Sequence, residues 1–284
     1  MTKFNLTRLK YFAVLTVLCL CMQFKSFAGG FPVRPGSLMV STSFNYFVAT
    51  KGWDSTKRLA PFPLGGKFTS QLYSAYIQLG ISKRWAFIGT FPYVINDYHQ
   101  LGFSNHAQGL TDVELGLKYY LFNINYTYYF SLQGNYIQPT YTDLNLGYAE
   151  KGLELKASFA GSGTVIGKHY FFNVEDGIRQ YYGDQGPVQN RYNATFGLSL
   201  DKKNKHSINL SIGGFYSTSS FTQTFANQSL NKNFAFTQAS ISYGYSFTRS
   251  FSVFLTAGTF VAGRNTGDGT SGSIALNFKP FRGI

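Results

Sequence analysis

Acidic side chains are scarce. The 284 residues carry 12 Asp and Glu against 25 Lys and Arg, and only 13% of the chain is charged. So little charge beside 18% aromatic residues argues against a soluble helical enzyme. Cysteine is nearly absent: Cys19 and Cys21 both fall in the first 28 residues, so the rest of the chain forms no disulfide and offers no thiolate. Beyond the N-terminus no apolar run reaches the length of a membrane-crossing helix, which excludes a helical membrane protein. Tryptophan is down to 2 residues, whereas Tyr (21), Phe (29) and Gly (30) are abundant. That balance suits a β-protein with aromatic girdles and short turns.

The clearest stretch runs from Leu110 to Pro139. Val113, Leu115, Leu117, Tyr119 and Leu121 fall on one side of an extended chain; Asp112, Glu114, Gly116, Lys118 and Tyr120 fall on the other. After an expected break at 122–125, Tyr126, Tyr128, Phe130 and Leu132 oppose Thr127, Tyr129, Ser131, Gln133 and Asn135. Period two over this length predicts a hairpin of two half-apolar strands. Roughly ten alternating residues per strand is a membrane-spanning length; soluble strands are nearer five or six.

The same alternation recurs at 37–48, 70–81, 150–161, 169–182 and 270–279, is blurred at 85–96, and further strands are expected at 188–200, 207–218, 233–247 and 251–262. Pro92 marks a bulge or bend within its strand. The expected connectors alternate too: tight turns such as 82–84, 162–167, 201–206 and 248–250 follow even-numbered strands. Mostly longer loops such as 49–69, 97–109, 140–149, 219–232 and 263–269 follow odd-numbered ones. The sequence therefore predicts an all-β protein: a closed antiparallel transmembrane β-barrel of about twelve strands, with short periplasmic turns and longer extracellular loops. In lipid the sheet must close, because an open edge would leave backbone groups unpaired.

The first 28 residues predict a cleaved signal peptide. Lys3, Arg8 and Lys10 form a basic start, 12–22 a short apolar run, and Ser26-Phe27-Ala28 a small-residue cleavage site. Leu18 and Leu20 precede the cysteines, which does not fit a lipoprotein site. Residues 29–284 are then the barrel, exported to a bacterial outer membrane. The remaining basic residues are scattered through turns and loops, which speaks against nucleic-acid binding.

Two stretches carry a resemblance. Gly109-Leu110-Thr111-Asp112-Val113-Glu114-Leu115-Gly116-Leu117-Lys118-Tyr119 is one; Gly80-Ile81-Ser82-Lys83-Arg84-Trp85 with Phe91-Pro92-Tyr93-Val94 is the other. Over roughly 36–281 the chain resembles the outer-membrane barrel family named for the meta-cleavage pathway of phenol degradation. It is similar at a distance to fatty-acid and aromatic-hydrocarbon channels. The resemblance implies a transporter of small hydrophobic or aromatic molecules. The chain departs from the fatty-acid channels in lacking an obvious N-terminal plug, since only residues 29–36 precede the first strand.

Alternation places Asp112, Glu114, Lys118, Glu154, Lys156, Glu175, Arg179 and Arg191 toward the lumen. The last four strands and the first put mainly Ser, Gly, Thr, Ala and Asn there. Two readings follow. A charged wall faces a smooth one and leaves an eccentric channel, or the charges pair across neighbouring strands and fill a narrow lumen; opposite signs on adjacent strands favour the second. His99 and His106 share a stretch with Asp97 and Ser104, but nothing fixes a nucleophile–base geometry and no third metal ligand is evident. No catalytic residue, metal or cofactor is expected. The expected partners are outer-membrane lipid, a small solute and an unidentified envelope protein. Lys83, Arg84, Lys168, Lys202, Lys203, Lys205 and Arg249 fall at the periplasmic turns, where anionic headgroups favour cations by about 1 kcal/mol each. The function expected is a channel or transporter; the alternative is a structural or partner-binding barrel of an envelope complex.

Overall fold

A computed structural model describes residues 31–183, 186–220 and 231–282. The predicted signal peptide lies outside the described residues. In chain order the strands are β1 (Ser37–Trp53), β2 (Leu59–Pro61), β3 (Lys67–Gly80), β4 (Trp85–Gln100), β5 (Phe103–Leu110), β6 (Asp112–Ile124) and β7 (Tyr128–Pro139). They continue with β8 (Gly152–Val165), β9 (Lys168–Tyr181), β10 (Val188–Ser199), β11 (His206–Thr218), β12 (Ala235–Ser246), β13 (Phe251–Arg264) and β14 (Thr266–Arg282). Every pairing is antiparallel, and β14 pairs with β1 from Ser37↔Arg282 to Trp53↔Thr266, so the sheet closes. Twelve strands form the barrel; β2 and β5 stand outside that count. No described helix is long and apolar enough to cross a membrane.

The apolar half of each strand points outward. Leu115, Leu117, Leu132, Leu153, Leu155, Ile178, Leu210, Ile212, Ile241, Leu255 and Ile274 are all exposed. In water such a belt would drive aggregation; in lipid it is the required surface. Aromatic pairs flank it. At the end carrying the tight turns, Trp85 lies 4.6 Å from Tyr119 and Phe122 stacks 4.6 Å from Phe130. At the other end Tyr46, Tyr73 and Tyr216 are exposed.

The structure corrects several expected boundaries. The β6–β7 turn lies at 125–127, not 122–125. A bulge at Leu121 shifts the register between Tyr120 and Phe122, so Phe122 regains the outer face opposite Phe130. The stretch 97–109, expected as a loop, is a hairpin: β5 pairs with β4 from Gln100↔Phe103 to Tyr93↔Leu110. Below it β6 takes the same edge, from Thr90↔Glu114 to Trp85↔Tyr119. Thr111 N donates to Pro92 O at the joint. Because proline has no N–H, the ladder tolerates its one-residue shift there. The stretch 263–269 is likewise not a loop, since β13 and β14 leave only Asn265 between them. The turn after β8 is Ile166 and Gly167 alone, shorter than 162–167.

Segments at both ends fold over the lumen. At the turn end, Phe31 is buried against Tyr129, 5.5 Å between ring centres, and Phe31 O accepts from Tyr120 Oη at 2.6 Å. Gly36 N donates to Gly80 O. A Cβ on Gly80 would sit 2.1 Å from Arg34 O, so glycine is what lets this segment lie so close. Residues 31–36 thus form a short inserted segment where no plug was evident in the sequence. At the loop end, 140–151 turns inward. Asn105 Nδ2 donates to Asn145 Oδ1, Tyr141 Oη donates to Asp112 Oδ1, and Tyr148 Oη donates to Asn231 O across the mouth.

Candidate functional site in the barrel lumen

Period two fixes which side chains enter the lumen. Glu154 and Lys156 on β8 share a face opposite the exposed Leu153 and Leu155; Glu114 and Lys118 on β6 oppose Leu115 and Leu117. A Lys or Arg on the lipid face at the bilayer centre would cost about 2–4 kcal/mol, which sets the sense of the alternation.

Arg179 is the hub. It sits directly opposite Glu154 in the β8–β9 ladder. Its Nε and Nη2 both lie 2.7 Å from Glu154 Oε2, and Nη2 reaches Glu114 Oε1 on β6 at 2.5 Å. The second contact passes two intervening strands, so it ties the wall together beyond adjacent pairing. Lys156 Nζ lies 3.5 Å from Glu154 and 3.9 Å from Glu175. Arg191 Nη1 lies 3.9 Å from both Glu114 and Glu154, while its Nε and Nη2 donate to Gln189 Oε1 at 3.0 and 2.8 Å. Asp112 Oδ1 accepts from Tyr141 and Oδ2 from Tyr181. Lys118 is buried with its ammonium 5.7 Å from the Tyr120 ring centre. Asp112, Glu114, Glu154, Lys156, Glu175, Arg179 and Arg191 form a connected arc from β6 to β10, and Lys118 lies on the same wall nearer the turn end.

Exposure divides the arc again. The side chains of Glu154 and Arg179 are 1% and 2% accessible, whereas Lys156, Glu114, Glu175 and Arg191 keep 24%, 22%, 22% and 19%. Behind lie sealed polar groups: Gln78 and Asn135 are buried, and Asn135 Nδ2 donates to Glu154 Oε1 at 3.2 Å. The opposite wall differs. Ser43, Asn45, Ser211, Ser240, Thr256, Gly258, Ser271 and Ser273 all retain partial accessibility. Partly accessible side chains thus line the lumen on both walls, charged on one and small and polar on the other.

Sequence reasoning missed a second arc. At the loop end the small-residue wall carries a row of phenyl rings. Arg191 stacks its guanidinium 4.2 Å above Phe215; Phe215 lies 5.0 Å from Phe236, Phe236 4.4 Å from Phe260, Phe260 5.1 Å from Phe47, and Phe47 6.2 Å from Phe68. The signal was present: Phe215 has the parity of Asn209 and Ser211, and Phe47 that of Ser43 and Asn45. A Phe in a barrel strand reads by habit as lipid-facing, and parity overrides that habit.

The histidines lie elsewhere. Asp97 and His106 pair across the β4–β5 hairpin at 2.6 Å, and His99 opposes Ser104 one step further out, on the outer face. No group of three or more metal-binding side chains occurs among the described residues.

No family model matches the chain, and no curated protein does. Solved structures do. An outer-membrane channel from Pseudomonas putida F1 superposes with a TM-score of 0.68 at 12% identity, covering 90% of this chain and all of that one. The β domain of the Bordetella autotransporter BrkA gives 0.53 at 13% identity over 86% of this chain and 99% of its own. The NanC porin gives 0.50 at 9% identity over 85% and 98%. The fold is that of the outer-membrane β-barrels.

Proposed function

We propose that this protein is a non-enzymatic outer-membrane channel or transporter for small solutes, hydrophobic or aromatic ones among them. The observation that carries the reading is the partly accessible lining of the lumen, charged on one wall and small and polar on the other. Glu154 and Arg179 act as sealed struts, and Glu114, Lys156, Glu175 and Arg191 line the path on one side. Ionisable groups at membrane depth are either pathway residues or paired supports, and this barrel uses both. Residues 31–36 and 140–151 narrow the two mouths. The likeness to an outer-membrane channel and a porin supports the reading. In this orientation the tight turns face the periplasm, and Lys83, Arg84, Lys168, Lys202, Lys203, Lys205 and Arg249 meet anionic headgroups there.

The test is planar-bilayer recording of the refolded mature chain. Discrete conductance steps, changed in ion selectivity by Lys156→Ala, support the channel. A second reading is favoured by one observation, the cover over both mouths: a structural barrel docked to an envelope partner. Folded barrels that stay silent at all voltages and co-purify with a fixed protein would establish that reading instead.

A further inference from the structure

We infer that the ionic and phenyl arcs, where they meet at Arg191 and Phe215, form a binding subsite for a planar aryl anion such as an arenecarboxylate. The inference rests on the channel reading for its role, but not for the binding itself.

The two arcs are continuous. From Glu114 through Arg179, Glu154 and Arg191 the lumen lining is charged; from Phe215 through Phe236, Phe260 and Phe47 to Phe68 it is aromatic. Phe215, Phe236 and Phe260 keep partial accessibility, so they are not a sealed core. Phe236 and Phe260 are parallel within 2°, and Phe215 is tilted 49° from Phe236. These rings present a shelf against which a flat ring can pack. Gly269 makes the shelf possible: a Cβ there would lie 2.2 Å from Phe47 Cζ, inside the ring's own volume. Aromatic rings packed this way attract each other beyond the effect of their buried area.

The charge on the ligand follows from how the cations are held. Arg179 makes both short contacts, to Glu114 and Glu154, and Lys156 also faces Glu154. Asp112 is held by two tyrosine hydroxyls. Of the arc's cations, Arg191 has no carboxylate nearer than 3.9 Å. Both its carboxylate contacts are 3.9 Å, beyond hydrogen-bond reach, and they fall on Nη1. Its Nε and Nη2 are fixed by Gln189 and its plane is fixed by Phe215. A guanidinium with one edge anchored, one face stacked and Nη1 only weakly engaged is prepared for a carboxylate. An aryl ring on the shelf brings its carboxylate to that edge.

The test uses the full mature barrel in detergent and in planar bilayers. The probes are benzoate, cyclohexanecarboxylate, benzamide and benzylammonium. Binding is measured by calorimetry and block by single-channel recording. Benzoate should bind about three- to tenfold tighter than cyclohexanecarboxylate, the stacking contribution. It should bind tighter than benzamide by about tenfold or more, the charge-assisted contribution. Arg191→Gln should erase the preference over benzamide, and Phe215→Leu with Phe236→Leu the preference over cyclohexanecarboxylate. Arg191→Lys, which keeps the charge but loses the planar fork, serves if the Gln variant does not fold. Equal affinity for all four probes would overturn the subsite, and so would a preference for benzylammonium, since Glu114 and Glu175 would then dominate. Benzoate binding to a silent barrel would keep the subsite and remove the channel; conductance without benzoate selectivity would do the reverse.

Discussion

Arg179 on β9 donates to Glu114 on β6 at 2.5 Å, past the two strands between them. Ladder hydrogen bonds link each strand only to its neighbours. This contact braces the wall across its inner curve, from a buried Arg179 to a partly accessible Glu114.

Removing that brace should be costly. Arg179→Met leaves Glu114 and Glu154 without their principal counter-charge, and breaking a buried pair from one side costs about 3–5 kcal/mol. The heat-modifiable mobility shift should move to a clearly lower temperature. The triple change Arg179→Met, Glu114→Gln and Glu154→Gln should recover much of that loss, because no bare charge then remains. A triple variant no more stable than the single would show that the charges are not what the brace supplies.

Lys156 should behave differently. It is the most accessible cation of the arc, and its contacts with Glu154 and Glu175 are long, at 3.5 and 3.9 Å. Pairs of this kind contribute about 0–1 kcal/mol. Lys156→Ala should therefore leave the unfolding temperature nearly unchanged while shifting reversal potential toward cation preference. A large stability loss with unchanged selectivity would make Lys156 a support.

Much of this was legible in the sequence. The alternation around Leu153–Lys156 and Asp112–Lys118 gave strand, facing and charge together, because lipid punishes a wrong register so heavily. The errors cluster where period two is broken or continues unseen. The bulge at Leu121 displaced the β6–β7 turn. Polar outward residues above the membrane, such as Asp97, His99 and His106, disguised a hairpin as a loop, since outside lipid neither face needs to be apolar. Contacts from 140–151 and 31–36 into the lumen depend on chain segments far apart in sequence, and no local pattern announces them.

The inserted segment makes its own prediction. Phe31 packs against the Tyr129 ring, and its carbonyl accepts from the Tyr120 hydroxyl. Phe31→Ala should raise the mean conductance of the barrel and shorten its closed intervals without unfolding it. Unchanged recordings would mean that ions do not pass the turn end beside this residue.

A pH effect is expected at one tight turn. Asp201 accepts from the backbone N–H of His206 at 2.8 Å and of Lys203 at 3.1 Å. The His206 amide foremost holds its carboxyl below the usual range. A lowered folded-state value means the ionised form supports the turn. That support is complete above the unfolded value near about pH 4 and is lost as pH falls through the folded one. Amide exchange at Lys203 and His206 should stay slow from neutral pH to about pH 4 and speed up below it; Asp201→Ala should remove the protection at all pH values. Protection that persists in the alanine variant would assign the turn's order to its strands.

Among the described residues, one ion pair ties the cover over the loop end to the far rim. Lys232 Nζ lies 2.9 Å from Glu150 Oε1, both side chains are largely shielded, and the ammonium also sits 5.7 Å from the Tyr148 ring centre. Tyr148 in turn donates to Asn231 O and accepts from Gln189 Nε2. These contacts join 140–151 to the far rim, so the pair and the tyrosine act on the same closure. Glu150→Lys should repel Lys232, loosen 140–151 and expose it to protease. The double exchange Glu150→Lys with Lys232→Glu should restore protection, with a coupling of about 1 kcal/mol between the two changes. Conductance should follow protection: raised in each single variant, returned in the double. Protease sensitivity that changes while conductance does not would place the solute path away from this cover.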